Sequence, residues 1–196
     1  MRWGVTDEAA NDHTTMQLCL EEIRNCQQIS TGPKFVSLLS HKYGTRPLPS
    51  DIICNEFETI IGAVDSEEDR TLMKQWYKQD TNAVPPVYIL QPISSIISNF
   101  GHQGNRMLAE KTKSEWWRTY ERLLEITTKA VLLSIKDTVR AHSLINSITE
   151  KEIEFGLHQS QDVSSSCLWF KREIQGLAAN DKNPSAKNFV DQLDSK

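Results

Sequence analysis

The segment Phe35-Val36-Ser37-Leu38-Leu39 decides the fold class, because it is a short apolar run between chain-breaking residues. Gly32-Pro33 interrupts the chain before it, and a proline-containing loop with Tyr43-Gly44 follows. An apolar run of this length without regular polar alternation is typical of a strand buried on both faces of a parallel sheet. The segment therefore predicts one strand of a parallel α/β sheet.

Helical patterns and a second apolar run flank this segment. Helices are predicted from about residue 13 and from about residue 53, where apolar residues recur at three- and four-residue spacing. Another helix is predicted from Ser66 through Tyr77, since Asp69 follows Ser66 at a capping-box-like offset. Pro85-Pro86 ends any helix and leads into Val87–Leu90, the second predicted strand.

The C-terminal half is predicted to be mainly helical. After a polar stretch that predicts a loop, the longest helix is expected from Lys113 to about Val139. Ser147 and Glu150 have capping-box spacing and predict the start of another helix. Cys167–Phe170 is consistent with a third strand or with the start of a helix, and we favour the strand. The polar tail from residue 178 onwards predicts a linker.

Strands that alternate with helices indicate a doubly wound parallel sheet. Three strands are predicted, and Arg2–Val5 adds the end of a further one. A buried strand must be hydrogen-bonded on both sides, because each unpaired buried backbone group costs roughly 1–3 kcal/mol. The predicted sheet is therefore incomplete.

Composition and charge exclude several classes of protein. The 196 residues carry a net charge of −4, which gives no general attraction to nucleic acid or to anionic membranes. No apolar run approaches the ~20 residues of a membrane-spanning helix, and the N-terminus has no secretory signal. The four cysteines match no zinc pattern and are expected to be reduced and mostly buried. These features predict a soluble cytoplasmic protein.

Several ordered blocks resemble one known family. Met1-Arg2-Trp3-Gly4-Val5-Thr6-Asp7-Glu8 is similar to a hydrophobic-R-W-G-V-x-x-E signature at the second strand of a TIR-like domain. That domain forms the N-terminal region of NACHT and WD-repeat signalling proteins. The similarity extends to about Pro92, through Leu18–Ile23, Gly32–Leu39, Lys42–Gly44, Asn55–Glu58 and Trp76–Tyr88. Its signature positions in this chain are Arg2, Trp3, Gly4, Val5, Glu8, Tyr43, Gly44 and Glu56.

The resemblance implies an α/β fold with an incomplete flavodoxin-like or TIR-like parallel sheet and a helical extension. Residues 1–92 would form a partial TIR-like domain whose first strand and helix are missing, and residues 93–112 a loop. Residues 113–177 would be the helical extension, with a possible last strand near 167–171, and 178–196 a linker-like tail. Met1 is then expected to be an internal methionine or the start of a truncated form.

Two hypotheses about chemistry follow. The family binds ATP through its NACHT module, but this chain has no G-x-x-x-x-G-K-[ST] phosphate loop, so ATP is expected only in the full-length parent. TIR domains that cleave NAD use a glutamate after the third strand, and Glu56, with Glu58 second, is its nearest counterpart here. The simpler interpretation, which we favour, places both carboxylates in the first turns of a helix, where the helix dipole favours them. No cofactor or metal site is predicted for this chain.

The remaining candidates have equally simple alternatives. Trp3-Gly4-Val5 with Asp7 and Glu8 follows a strand end, where open α/β sheets bind ligands, but a core tryptophan and two surface acids are the preferred interpretation. In Trp116-Trp117, adjacent helical residues point about 100° apart, so Trp117 is predicted to be buried and Trp116 to lie at an edge. The five histidines are dispersed, and none is predicted to be catalytic.

The favoured function is therefore non-catalytic protein interaction, by recruitment of protein partners or by self-association, without nucleic acid or membrane binding. The alternative is a TIR-type NAD(P) glycohydrolase that uses Glu56. We also expect the chain alone to be marginally stable, because the strand Phe35–Leu39 would have an unpaired edge.

Overall fold

The computed structural model describes residues 6–101, 104–158, 162–178 and 185–191. The elements are, in chain order, α1 (Asp7–Asn11), α2 (Thr15–Ile29), β1 (Phe35–Leu39), β2 (Asp51–Ile53), α3 (Cys54–Gly62), α4 (Glu67–Trp76), β3 (Tyr77–Asp80), β4 (Val87–Leu90), α5 (Ile93–Ile96), α6 (Arg106–Ser134), α7 (Thr138–Ile145), α8 (Ile148–His158), α9 (Val163–Ser166), β5 (Cys167–Lys171) and the 3₁₀ turn Ala186–Asn188. None of the helices in these ranges is long and apolar enough to cross a membrane.

The chain forms two compact units. Unit 1 comprises Met1–Met16 and Arg46–Asn146, and unit 2 comprises Gln17–Thr45 and Ser147–Lys196. The mixed α/β class with a small parallel sheet and a helical extension is confirmed.

Unit 1 contains a three-stranded antiparallel sheet in the order β2-β4-β3, packed against helices. The largest fully buried side chains of its core include Trp76, Tyr77, Phe57 and Ile52. The Tyr77 hydroxyl donates a hydrogen bond of 2.8 Å to the Pro49 carbonyl oxygen, and burial raises the pKa of this phenol. The buried hydroxyl therefore has the hydrogen-bond acceptor that its desolvation requires.

Unit 2 contains the parallel strands. Phe35 of β1 is paired with Cys167 of β5, and the register runs without interruption to Leu39 and Lys171. Helix α8 packs on this pair, because Gly156 lacks a side chain where a Cβ would lie 2.7 Å from the Phe35 ring. The third strand predicted at residues 167–170 is thus confirmed, and it is a neighbour of the strand that decides the fold class.

Three helix starts illustrate how the sequence sets element boundaries. The Ser66 hydroxyl accepts a bond of 3.4 Å from the Asp69 amide, and the Ser147 hydroxyl accepts one of 3.1 Å from the Glu150 amide, so both predicted caps are confirmed. The Asp137 carboxylate accepts from the backbone amides at the start of α7. This third cap starts a separate helix, so the prediction of one helix from Lys113 to Val139 was wrong.

Other predicted elements differ in direction or extent. Val87–Leu90 is a strand as predicted, but it runs antiparallel between β2 and β3. Tyr77 begins β3, although the helical pattern was predicted to include it. The predicted loop 93–112 contains α5 and the first turns of α6, which begins at Arg106 because the Asn105 side chain caps it.

Candidate functional site

The first candidate site lies in unit 1 around Glu56. Glu56 is in the first turn of α3, and its two carboxylate oxygens accept hydrogen bonds from Arg140 of α7. The Nε–Oε1 distance is 2.8 Å and the Nη2–Oε2 distance is 2.7 Å. The hydrogen bond to Glu56 is the main cause that raises the pKa of Arg140. Glu58, the second candidate, is exposed.

This arrangement is a bidentate ion pair between two helices. Such pairs combine charge with fixed geometry and are among the stronger hydrogen-bonded contacts in proteins. Glu56 is mostly shielded from solvent and Arg140 is about one-third exposed. The carboxylate already has a cationic partner on both oxygens, and its evident role is to hold α7 against α3.

An aromatic cluster lies elsewhere in the same unit. The Trp116 ring packs 4.9 Å from Trp76, 5.3 Å from His13 and 5.5 Å from Tyr120, measured between ring centroids. Trp116 is 6% exposed and Trp117 is 47% exposed, so the prediction for this pair was wrong. The buried stripe of α6 passes through Thr112 and Trp116 rather than through the next residue. An interior position follows for Trp116 and an edge position for Trp117.

His13 joins this cluster to a strand end. Its φ angle of 57° lies in the left-handed region, and its Nε2 is 3.0 Å from the Gln91 carbonyl oxygen. Burial lowers the pKa of His13, while the contact with Gln91 opposes that change. The ring therefore packs as a largely neutral group, as in a satisfied core histidine.

A cleft of about 240 Å³ is a second concave feature of unit 1. Its charged wall is paired internally, with Arg122 contacting Asp69 at 2.7 Å and Lys129 contacting Asp65 at 2.8 Å. The hydrogen bond from Lys129 lowers the pKa of Asp65. Since these pairs satisfy one another at the surface, the cleft has no unpaired charge pattern that would select a ligand.

In unit 2, the signature residues Tyr43 and Gly44 contact the start of α8. The Tyr43 hydroxyl donates to the Glu150 carboxylate, and the Tyr43 carbonyl oxygen accepts 2.8 Å from the Ser147 hydroxyl. The Tyr43 amide donates to the Asp191 carboxylate at 2.7 Å. Tyr43 thus connects three separate parts of unit 2.

Gly44 is required at its position by both backbone and space. Its φ angle is +100°, which side chains rarely adopt, and a Cβ there would lie 2.8 Å from the Thr149 hydroxyl. The Tyr43-Gly44 pair is therefore a structural joint that positions α8. It provides no group arranged for catalysis.

The most exposed apolar surface of unit 2 is the sheet face opposite α8, which we call the apolar face. It consists of Val36 and Leu38 on β1, with their register partners Leu168 and Phe170 on β5. The exposed fractions of these four side chains lie between 44% and 77%. Parallel sheets are normally covered on both faces, so this exposure is unusual for the element type.

The predicted site residues are not brought together. Glu56 lies in unit 1, whereas Tyr43 and Gly44 lie in unit 2. Glu8 is exposed on α1, and Arg2, Trp3, Gly4 and Val5 lie outside the described residues. The sequence analysis missed Arg140 as the partner of Glu56, although Asp137 three residues earlier is a recognisable helix cap. All four cysteines are free and half-buried, less buried than predicted.

Comparisons with known proteins give one consistent result. No family model matches the chain, and no solved structure matches it. It is 31% identical over 195 residues to "NACHT domain- and WD repeat-containing protein 1" of Mus musculus, which covers 98% of this chain and 12% of that protein. The Homo sapiens protein of the same name is also 31% identical, with the same coverage of both chains.

A second relative extends the result. "NACHT and WD repeat domain-containing protein 2" of Homo sapiens is 29% identical over 196 residues, covering 96% of this chain and 11% of that protein. The chain thus spans about an eighth of the length of the curated relatives it matches. Nearly the whole chain is homologous to one segment of NACHT and WD repeat-containing proteins, which supports its membership of that family.

Proposed function

We propose that this chain is a non-catalytic, TIR-like protein-interaction module in the N-terminal region of a cytoplasmic NACHT and WD-repeat signalling protein. Its task is to bind another protein, while the NTPase and propeller belong to other parts of such a protein. The homology to NACHT and WD-repeat proteins supports the context, because WD-repeat proteins act generally through protein contacts.

The observation that carries the proposal is the apolar face of unit 2. With exposed fractions of 44–77%, its four side chains leave roughly 400 Å² of contiguous apolar surface, in the range that marks interaction sites. Removing such a surface from water is the main favourable contribution to protein association. The face is formed by a regular, paired sheet and is therefore preorganised for binding.

The contacts of Glu56 do not favour the alternative of an NAD(P) glycohydrolase. A carboxylate that stabilises an oxocarbenium-like transition state must direct its charge at the sugar. Both oxygens of Glu56 instead accept hydrogen bonds from Arg140.

The test compares the complete chain with two single variants, Leu38→Asp on the apolar face and Val84→Asp as the matched control. Val84 is 97% exposed and lies in unit 1, so its replacement places the same charge on a different surface. We expect proteins from a cell extract to be retained by the wild type and by Val84→Asp, and to be lost from Leu38→Asp. Equal retention by all three chains, or NAD turnover that Glu56→Gln abolishes, would contradict the proposal.

A further inference from the structure

The apolar face has the dimensions of a binding surface for one helix. The five paired residues of β1 and β5 extend over roughly 16 Å at about 3.3 Å per residue. Two strands spaced about 4.8 Å apart present a strip about as wide as a single helix, whose diameter is roughly 10 Å. A helix of about three turns, or eleven residues, would span this length.

The opposite face of the same two strands already shows this type of packing. Helix α8 lies there, with Gly156 directly over the Phe35 ring and its carbonyl oxygen 3.6 Å from the Cys167 sulfur. Parallel strands are generally covered by a helix on each face. A helix on the apolar face would complete the same arrangement.

The charges at the two ends of the face indicate what kind of helix fits. The Lys34 amide donates to Ser166 and the Arg172 amide donates to Leu39, both at 2.7 Å, so the strand pairing continues past each end. By the alternation of side chains along a strand, positions 34 and 172 share the face of Leu38. One basic residue therefore lies at each end of the apolar face.

This charge pattern argues against a second copy of the chain as the partner. Two copies stacked face to face would place Lys34 opposite either Lys34 or Arg172, and like charges across an interface oppose association. A helix with acidic residues at both ends of its apolar stripe would instead pair with both basic ends.

We propose that the apolar face binds an amphipathic helix of a partner protein, with an apolar stripe of about three turns bounded at each end by Asp or Glu. This inference rests on the proposed interaction function and names the chemistry of the partner.

The first test uses the complete chain and two synthetic helical peptides with the same leucine stripe, one ending in glutamates and the other in lysines. We expect the glutamate peptide to bind at least tenfold more tightly, and Leu38→Asp to weaken its binding at least tenfold, while Val84→Asp has no effect. Replacing both Lys34 and Arg172 with glutamate should reverse the peptide preference. Absence of binding, or equal affinity for both peptides, would overturn the inference.

The second test identifies the occupant directly, with a photoreactive amino acid at position 38 of the chain expressed in cells. A covalent adduct on an acid-flanked helix of a different protein supports the inference. An adduct on another copy, or on a segment of the same polypeptide, overturns it. If Leu38→Asp abolishes protein retention but the peptides are not distinguished, this inference fails and the proposed function stands; if Leu38→Asp leaves retention unchanged, both fail.

Discussion

Glu56 and Arg140 lie 84 residues apart in the sequence and form an ion pair in which both carboxylate oxygens are bound, at 2.8 and 2.7 Å. The pair joins the first turn of α3 to the first turn of α7. A residue singled out by its resemblance to a catalytic glutamate is therefore part of the framework of unit 1.

Glu56→Gln should lower the free energy of unfolding by about 1 kcal/mol, since a charge-assisted bond is lost from a partly solvent-screened pair. Glu58→Gln is the control, because Glu58 is exposed two residues away and should change stability by less than about 0.5 kcal/mol. Urea unfolding followed by circular dichroism measures both. Equal effects of the two substitutions would show that the pair contributes nothing.

Trp116→Ala should destabilise unit 1 by about 3–5 kcal/mol, because it empties a buried site that contacts Trp76 and His13. Trp117→Ala removes a half-exposed ring that contacts Tyr120 at its edge, and should cost about 1 kcal/mol or less. Guanidinium unfolding of the two variants gives the comparison. A larger loss from the Trp117 variant would contradict the packing described for α6.

Acidification should destabilise the chain through His13. Burial lowers its folded-state pKa below the ordinary value of 6.5, so the unfolded chain takes up a proton first as the pH falls. The contribution to stability is complete above pH 6.5 and decreases as the pH falls from there through the folded-state pKa. His13→Asn is the matched control, since asparagine tolerates the left-handed backbone and does not titrate. Stability curves of the two proteins that stay parallel from pH 7.5 to pH 5 would contradict this assignment.

Gly156→Ala should destabilise unit 2 by about 1–3 kcal/mol, although alanine favours helices, because the new Cβ would lie 2.7 Å from the Phe35 ring. Gly62→Ala tests helix propensity alone, since no atom lies within 4 Å of a Cβ there, and it should be neutral or stabilising. Thermal unfolding and hydrogen exchange of β1 report the difference. Combining Gly156→Ala with Phe35→Leu should recover part of the loss if the contact causes it.

Features encoded by neighbouring residues could be predicted from the sequence. The caps at Ser66 and Ser147 depend on a side chain and an amide three residues away, and both are present. The strand at Cys167 was also found, because an apolar run follows a polar turn.

Features set by distant partners could not be predicted in this way. An apolar run such as Val87–Leu90 fits a parallel or an antiparallel neighbour equally well, because its periodicity says nothing about direction. The burial of Trp116 depends on where the stripe of α6 begins, which a cap at Asn105 determines. The bond between Glu56 and Arg140 joins two helices whose packing is not encoded locally.

The parallel pair in unit 2 has a consequence for synthesis of the chain. The Ser40 hydroxyl contacts the Arg172 carbonyl oxygen across 132 intervening positions, and most of unit 1 is encoded between the two strands. At translation rates of about 5–20 residues per second, β1 leaves the ribosome roughly 7–25 s before its neighbour. Unit 1 can therefore fold while β1 is still without its partner, and nascent-chain chaperones would have their longest access to the apolar residues of β1 in that interval.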